Sequence, residues 1–362
     1  MKPKYYTLKN ILAYGAQYNI IFGERSNGKS YSVYHYGINQ YHRTGEQMAI
    51  IRRWTDDFTG KRGATMFDSI TGTGDIEKIT DGKWNGVYYY ASRWFLAKYE
   101  DGKRIETDET PFGYGFSISA MEHDKSTSYP RITTILFDEF LARTVYIPDE
   151  FVLFMNVLST IIRHRTNVKI FMLGNTVNKY CPYFAEMGLK HIKQMKPGDI
   201  DIYHYGESKL TVAVEYTAPN KQGKESDLYF AFDNPKLSMI TGGAWEMDMY
   251  PHCPVKIKPK EILFCYFIVF DGETLQCDIV QQGDMNFTFI HRKTTPIREP
   301  EKAIIFSPDY SPYPTHFRKL TKPRTQIETR IASHYIKDKV FYSDNEVGEI
   351  VRNYLLWCGK QV

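Results

Sequence analysis

Short apolar runs alternate with helix-compatible stretches through the first half of the chain. Tyr18–Phe22, Gln47–Arg52, Thr133–Phe137 and Val168–Leu173 have the length and composition of buried strands. Ser30–Tyr41 and Asp149–Arg163 read as helices, the second opened by Pro148-Asp149. Val87–Tyr90 and Arg93–Tyr99 read as two further strands, and Asp101-Gly102 is a hairpin turn signal. A Gly- and Thr-rich region from Thr59 to Gly86 interrupts the alternation. Strands alternating with helices predict a mostly parallel sheet covered on both faces.

The pattern changes after about residue 200. Lys190 to Gly198 is polar and basic and ends in Pro-Gly, which suits a linker or a solvated helix end. Residues 215–255 are irregular. A strand-rich unit follows, with Leu263–Phe270, Thr274–Val280 and Asn286–His291, then a closing amphipathic helix over Asn345–Trp357. These shifts predict a first domain over 1–200, a linker region over 201–244 and a second domain over 245–362. The longest apolar run, Ile262–Phe270, is nine residues, too short to span a membrane.

One segment fixes the chemistry. Gly23-Glu24-Arg25-Ser26-Asn27-Gly28-Lys29-Ser30 reads G-x-x-x-x-G-K-S, between a strand and a helix. A Gly-rich turn there lets backbone N–H groups and the helix N-terminus surround an anionic phosphate. Lys29 would reach the β/γ-phosphates of ATP and Ser30 would hold Mg²⁺. A turn with a surface lysine is the bland alternative, and the strand–helix context argues against it. Such a site also needs carboxylates. The strand Thr134–Phe137 runs into Asp138 and Glu139, which suit support of Mg²⁺ and general-base activation of water, respectively. The next apolar strand ends at Gly174-Asn175, where an amide beside the γ-phosphate would sense it.

Several cations are candidates for the transition state. Arg163 and Arg165 end a helix, where a cation also complements the helix dipole. That helix runs into the strand leading to Asn175, so Arg163 is expected near the sheet's active edge. It could serve a neighbouring subunit as an arginine finger. Lys125 is a second candidate, Arg25 lies within the loop itself, and Arg52 and Arg53 end a strand. The sequence leaves action in cis or in trans open for all of them.

Composition narrows the class. The 362 residues carry a net charge of only +4, so any nucleic-acid contact must come from a local patch. The five cysteines form no C-x-x-C, which argues against structural zinc and a disulfide framework and for a reducing compartment. The N-terminus lacks the apolar core of a signal peptide.

Together these segments resemble the DNA-packaging ATPases of small protein-primed podoviruses, a branch of the phage terminase large subunits. The resemblance rests on Gly23–Ser30 with Arg25, Gly45-Glu46-Gln47 with Ile51-Arg52-Arg53, and Lys125-Ser126 with Tyr129-Pro130. It continues through Thr134–Phe140 (T-I-L-F-D-E-F), Arg163-His164-Arg165 and the Asn175 strand, and weakens after about residue 200. It implies an α/β P-loop ATPase with an additional catalytic glutamate (RecA/ASCE-like), followed by a smaller α+β ribonuclease-H-like domain. It implies a homo-oligomeric ring, a pentamer, driving double-stranded DNA through the capsid portal or connector. Such a motor works in the host cytoplasm, transiently on the portal vertex. Residues matching Lys125 and Arg163 would reach the adjacent subunit's nucleotide, and some relatives dock on a packaging RNA.

Typical terminases add an active nuclease, whose two metals need converging carboxylates. The long strand Leu263–Phe270 contains none, and Asp271 falls in a turn. Asp278, Asp309, Asp338 and Asp344 form no recognisable set. Residues 292–330 instead hold nine cations and four anions, which suits a grip on DNA phosphates. An active nuclease, a cellular helicase or remodelling ATPase, and a small-molecule phosphotransferase are the competing readings. Metal-dependent cleavage, unwinding and absence of DNA stimulation, respectively, distinguish them.

Overall fold

The computed structural model describes residues 5–123, 127–143, 146–218 and 245–360. It divides into two units, residues 1–246 and 247–362.

The first unit is built on one sheet of ten strands. In chain order they are β1 (Tyr18–Gly23), β2 (Gln47–Arg52), β3 (Gly86–Tyr90), β4 (Arg93–Glu100) and β5 (Lys103–Thr107). They continue as β6 (Gly113–Ser117), β7 (Ile132–Asp138), β8 (Lys169–Asn175), β9 (Ile200–His204) and β10 (Thr211–Tyr216). The order across the sheet is β3-β4-β6-β2-β7-β8-β1-β10-β9, with β5 on β4. The run from β6 to β10 is parallel, and β3, β4, β5 and β9 pair antiparallel.

Successive side chains of the central strands enter opposite cores, as a strand's period of two requires. Ile20, Phe22, Ile135, Phe137 and Met172 belong to one core, and Ile21, Ile50, Leu136, Phe171 and Leu173 to the other. The helix Glu150–Ile162 covers the first face because Phe154, Val157, Leu158 and Ile161 recur three and four residues apart. The helix Lys29–Thr44 covers the second through Val33, Tyr34 and Ile38. The Gly- and Thr-rich region becomes three short helices, Gly60–Ala64, Asp68–Gly72 and Asp75–Ile79, packed on that second face by Phe67, Ile70 and Ile76.

Two expectations are corrected. The stretch 190–198 is neither a linker nor a solvated helix end, because Ile192 and Met195 are buried in the first core. The linker expected over 201–244 does not begin at 201 either. β10 lies parallel to β1, register Ile20↔Val214, so the sheet continues to Tyr216. The rest of that expected linker, 219–244, lies outside the described residues.

The second unit holds a six-stranded sheet. Its strands are β11 (Ile262–Phe270), β12 (Glu273–Gln282), β13 (Met285–Arg292), β14 (Ile305–Phe306), β15 (His316–Phe317) and β16 (Val340–Tyr342). The order is β15-β14-β11-β12-β13-β16. The first three strands are antiparallel neighbours, and β14, β15 and β16 join in parallel. Three long antiparallel strands with parallel additions beside the first make the expected ribonuclease-H-like arrangement. The helices Gln326–Ile336 and Asn345–Lys360 close the unit. A capping box between Thr325 and Glu328 starts the first of them. Among the described residues, no helix is long and apolar enough to cross a membrane.

Candidate functional site

The C-terminal ends of β1, β7, β8 and β2 meet at one edge of the first sheet. The G-x-x-x-x-G-K-S segment joins β1 to the helix Lys29–Thr44 there. Gly28 has φ +92°, a conformation that costs an L side chain but not glycine. A Cβ on Gly23 would lie 2.0 Å from Thr217 Oγ1, so the loop's first glycine is required by close approach. Asn27 Nδ2 donates to the same Thr217 hydroxyl at 2.9 Å and ties the loop to the end of β10.

Lys29 is buried beneath this loop. Its Nζ donates to Glu24 O at 2.6 Å, to Asn27 Oδ1 at 3.2 Å and to Asn175 Oδ1 at 3.4 Å. Burial pushes its ammonium down to about 8, against the pull of Asp138 and Glu24. Asn175 reaches the site because β8 lies beside β1, register Gly23↔Asn175. Ser30 Oγ donates to Asp138 at 3.1 Å, and Asp138 is almost fully buried. A hydroxyl facing a carboxylate suits a small hard cation. The loop, Lys29, Ser30, Asp138, Glu139 and Asn175 line one cleft of about 620 Å³. Loop N–H groups, a buried ammonium and a hydroxyl–carboxylate pair fit a magnesium-bound triphosphate.

Glu139 has φ +60° and an exposed side chain. Arg52, at the end of β2, spans both acids: its guanidinium lies 2.9 Å from Asp138 Oδ2 and 2.8 Å from Glu139 Oε2. Burial works against the Arg52 charge, but Asp138, Tyr34 and Glu139 outweigh it and raise its pKa. Arg53 turns the other way. Its Nε and NH2 donate to Glu150 at 2.8 Å each, and the pair is buried. Arg53 also donates to Glu139 O at 3.3 Å and Phe140 O at 2.9 Å, while Glu150 accepts from Tyr183 at 2.9 Å and Ile147 N–H at 2.7 Å. This network holds the main chain that presents Glu139. No spacing in the sequence marks Glu150 or Thr217, because only the fold brings them to Arg53 and Asn27.

The remaining cations are dispersed. Arg25 lines the cleft and pairs with Glu246 at 3.3 Å. Arg165 is structural, donating to the carbonyls of Tyr129, Pro130, Ile132, Ile161 and Ile162. Arg163 corrects an expectation. The helix Glu150–Ile162 ends before β8 begins, at the sheet edge opposite the cleft. Arg163 donates there to Thr127 O at 3.2 Å, near the start of β7. The seven residues of β7 put roughly 20 Å between that edge and Asp138 in the same subunit. Lys125 lies outside the described residues.

In the second unit, Arg318, Lys319, Lys322 and Arg324 line one cleft of about 650 Å³ with Asp309 and Tyr310. The Arg318 guanidinium lies 3.9 Å from the Tyr310 ring centre and 5.4 Å from that of Trp357. Asp278 is buried against His291 at 3.2 Å, and Asp344 accepts from Val347 N–H at 2.9 Å. Asp271 and Asp338 have positive φ. Among the described residues, no three His, Cys, Asp or Glu side chains are grouped to hold a metal.

Comparison with known proteins adds lineage to this geometry. A family model described as podovirus DNA encapsidation protein (Gp16) matches residues 1–286. The DNA packaging protein of Bacillus phage phi29 is 24% identical over 299 residues, 81% of this chain and 81% of that protein. That of Bacillus phage B103 is 29% identical over 182 residues, 49% of this chain and 50% of that protein. A chain in the structure of the phi29 viral genome packaging motor assembly superposes with TM-score 0.55 at 19% identity, covering 99% of both chains. The phi28 gp11 DNA packaging motor gives 0.54 at 16%, again over 99% of both. At these identities the structural likeness establishes the fold.

Proposed function

The chain belongs to the podovirus DNA encapsidation protein family, and from that premise we propose that it is an ATP-hydrolysing motor subunit driving double-stranded viral DNA into a capsid. The observation carrying this reading is the buried Lys29–Ser30–Asp138 constellation under the Gly23–Ser30 loop, with Glu139 at its rim. The loop N–H groups and Lys29 hold the triphosphate. Ser30 and Asp138 would hold Mg²⁺, which when bound neutralises charge on the phosphate oxygens. Glu139 takes the proton of the attacking water. Arg52 holds that carboxylate at 2.8 Å, so hydrolysis requires the contact to loosen before Glu139 can turn to the water. Asn175 registers loss of the terminal phosphate, a role supported by its bond to Lys29.

The phi29 relative is named a DNA packaging protein, and its superposing structure is named a genome packaging motor assembly. By analogy the chain acts as a homo-oligomeric ring, a pentamer, at the portal or connector of a capsid in the host cytoplasm. A packaging RNA is a further partner suggested only by the family resemblance. In such a ring Arg163 and Lys125 serve the neighbour's nucleotide; the separation of Arg163 from its own Asp138 supports action in trans. The second unit grips DNA phosphates through the Arg318–Arg324 cleft and does not cut, a reading supported by the pairing of Asp278 with His291 and by Asp344 accepting from Val347 N–H.

The test is Glu139→Gln. It should still bind ATP while hydrolysing it orders of magnitude more slowly, with wild-type turnover rising with protein concentration and with double-stranded DNA. Hydrolysis by Glu139→Gln at the wild-type rate would remove the general base from this scheme.

A further inference from the structure

The strands β3, β4 and β5 turn only one face to a core. Val87, Tyr89, Trp94 and Leu96 pack into the second core of the first unit. By the strand's period of two, Tyr88, Tyr90, Arg93, Phe95 and Tyr99 point the other way. The registers Tyr88↔Phe95, Tyr90↔Arg93 and Tyr99↔Arg104 bring these side chains and Arg104 together. None of the four rings packs into either core of the unit. Tyr90 is 65% exposed, and Tyr88, Phe95 and Tyr99 are half-buried.

The rings are preset. Tyr99 lies across β3, so close that a Cβ on Gly86 would stand 2.8 Å from its ring, and its hydroxyl donates to Val87 O at 3.2 Å. The Tyr88 and Phe95 centroids are 6.2 Å apart, with planes 38° from parallel. The Arg104 guanidinium is layered on Tyr88, 3.5 Å from the ring centre. Charge on this face is one-sided. The glutamates of β4 and β5, Glu100 and Glu106, stand in register with Lys103 and Lys98. Among the described residues, neither Arg93 nor Arg104 is in an ion pair.

A contiguous row of rings outside a core marks a binding surface. A ligand for it must offer flat apolar faces to the rings and negative charge to the two arginines. An unpaired nucleic-acid strand offers both, base by base and phosphate by phosphate. In a duplex the base faces are already stacked on one another, so only unpaired bases can use the rings. We propose that the outer face of β3–β4–β5 binds an unpaired nucleic-acid strand. Its bases stack on Tyr90, on Phe95 and on the Arg104 guanidinium carried by Tyr88, and its phosphates meet Arg93. This site is separate from the nucleotide cleft and from the duplex grip of the second unit, and its chemistry differs from both.

The test is fluorescence anisotropy of the full chain with labelled oligonucleotides of about ten nucleotides, a length within the usual span of such sites. Single-stranded RNA, single-stranded DNA and a DNA duplex are titrated separately. Tyr90→Ala combined with Phe95→Ala should weaken single-strand binding at least about ten-fold and leave duplex binding unchanged. Tyr90→Phe combined with Phe95→Tyr keeps both rings and should stay within about two-fold of wild type. Arg104→Gln should reduce the single-strand salt slope by about 0.7. Unchanged duplex affinity also verifies that the alanine variant is folded. The tighter of the RNA and DNA single strands identifies the source of the strand. Unaltered single-strand affinity in the double alanine variant overturns the proposal, as does an equal loss for single strand and duplex. Failure of the wild-type chain to bind either single strand overturns it as well.

Discussion

The Arg53–Glu150 pair offers the sharpest energetic test of how the catalytic edge is built. Both charges are buried, and two parallel N–H to oxygen contacts of 2.8 Å join them. Glu150→Gln removes the negative charge and one strong acceptor but keeps the volume. Arg53 is then left buried beside carbonyls that cannot neutralise it. Removing one member of such a pair costs about 3–5 kcal/mol. With a urea m-value of about 2 kcal/mol/M, the midpoint of the transition that unfolds the first unit should fall by roughly 1.5–2.5 M. Arg53→Met should cost a similar amount. Arg53→Met combined with Glu150→Leu should lose much less than the sum, because neither charge is stranded. Recovery should stay incomplete, since Tyr183, Ile147 N–H and the carbonyls of Glu139 and Phe140 lose partners. ATP turnover should fall in all three variants, because the network holds the main chain of Glu139. Single variants within about 1 kcal/mol of wild type, or strictly additive losses, would refute this account.

Lys29→Ala and Asp138→Ala should each abolish nucleotide-linked activity, the first by losing phosphate charge and the second by losing Mg²⁺ support; turnover assays read both. Purified chain incubated with plasmid and Mg²⁺ or Mn²⁺ should leave the DNA uncut, and cleavage that disappears on mutating Asp271 or Asp278 would overturn the reading of the second unit as a vestigial nuclease. Replacing Arg318, Lys319, Lys322 and Arg324 with alanine should flatten the dependence of log affinity for double-stranded DNA on log salt by up to about 3.6, and an unchanged slope would put the DNA surface elsewhere. The second unit should lose stability as pH rises: the hydrogen bond to Asp278 raises the His291 pKa despite partial burial, so its stabilisation is full below about 6.5 and is lost through the higher folded value. Asp278→Asn should remove most of that slope in thermal melts from pH 6 to 8.

What the sequence disclosed was local. Gly23–Ser30 is legible because the loop's chemistry fixes its residue types at fixed spacings, and Asp138-Glu139 because an apolar strand points at them. The strands around them were legible through continuous apolar runs, as expected of a parallel sheet buried on both faces. β10 escaped because its partner, β1, lies far away in the chain, and its own irregular surroundings suggested a linker. Ile192 and Met195 escaped because their neighbours are lysines and a histidine. Apolar side chains spaced three apart in a basic segment can still enter a core while the cations stay in solvent. Arg53–Glu150 and Asn27–Thr217 are pairs that only topology creates, and no spacing rule reaches them.

Arg163 shows how a correct element assignment can still misplace a side chain. The helix Glu150–Ile162 and strand β8 were both anticipated, and the inference that Arg163 stands near the active edge followed from the strand alone. A parallel sheet makes the opposite demand. The helix leaving β7 must return to the edge where strands begin, so its last residue lies a strand's length from the site that β7 and β8 end in. Arg163 beside Thr127 O obeys that rule. The correction makes cis action by Arg163 in this conformation incompatible with the span of β7. In the proposed ring, a contribution of Arg163 to hydrolysis is therefore expected through a neighbouring subunit. Mixing Arg163→Ala with Glu139→Gln subunits tests this directly, because mixed rings contain interfaces with both groups intact. Recovered turnover in the mixture supports the trans role. Its absence at ring-forming concentration would leave Arg163 as a structural residue at the end of its helix.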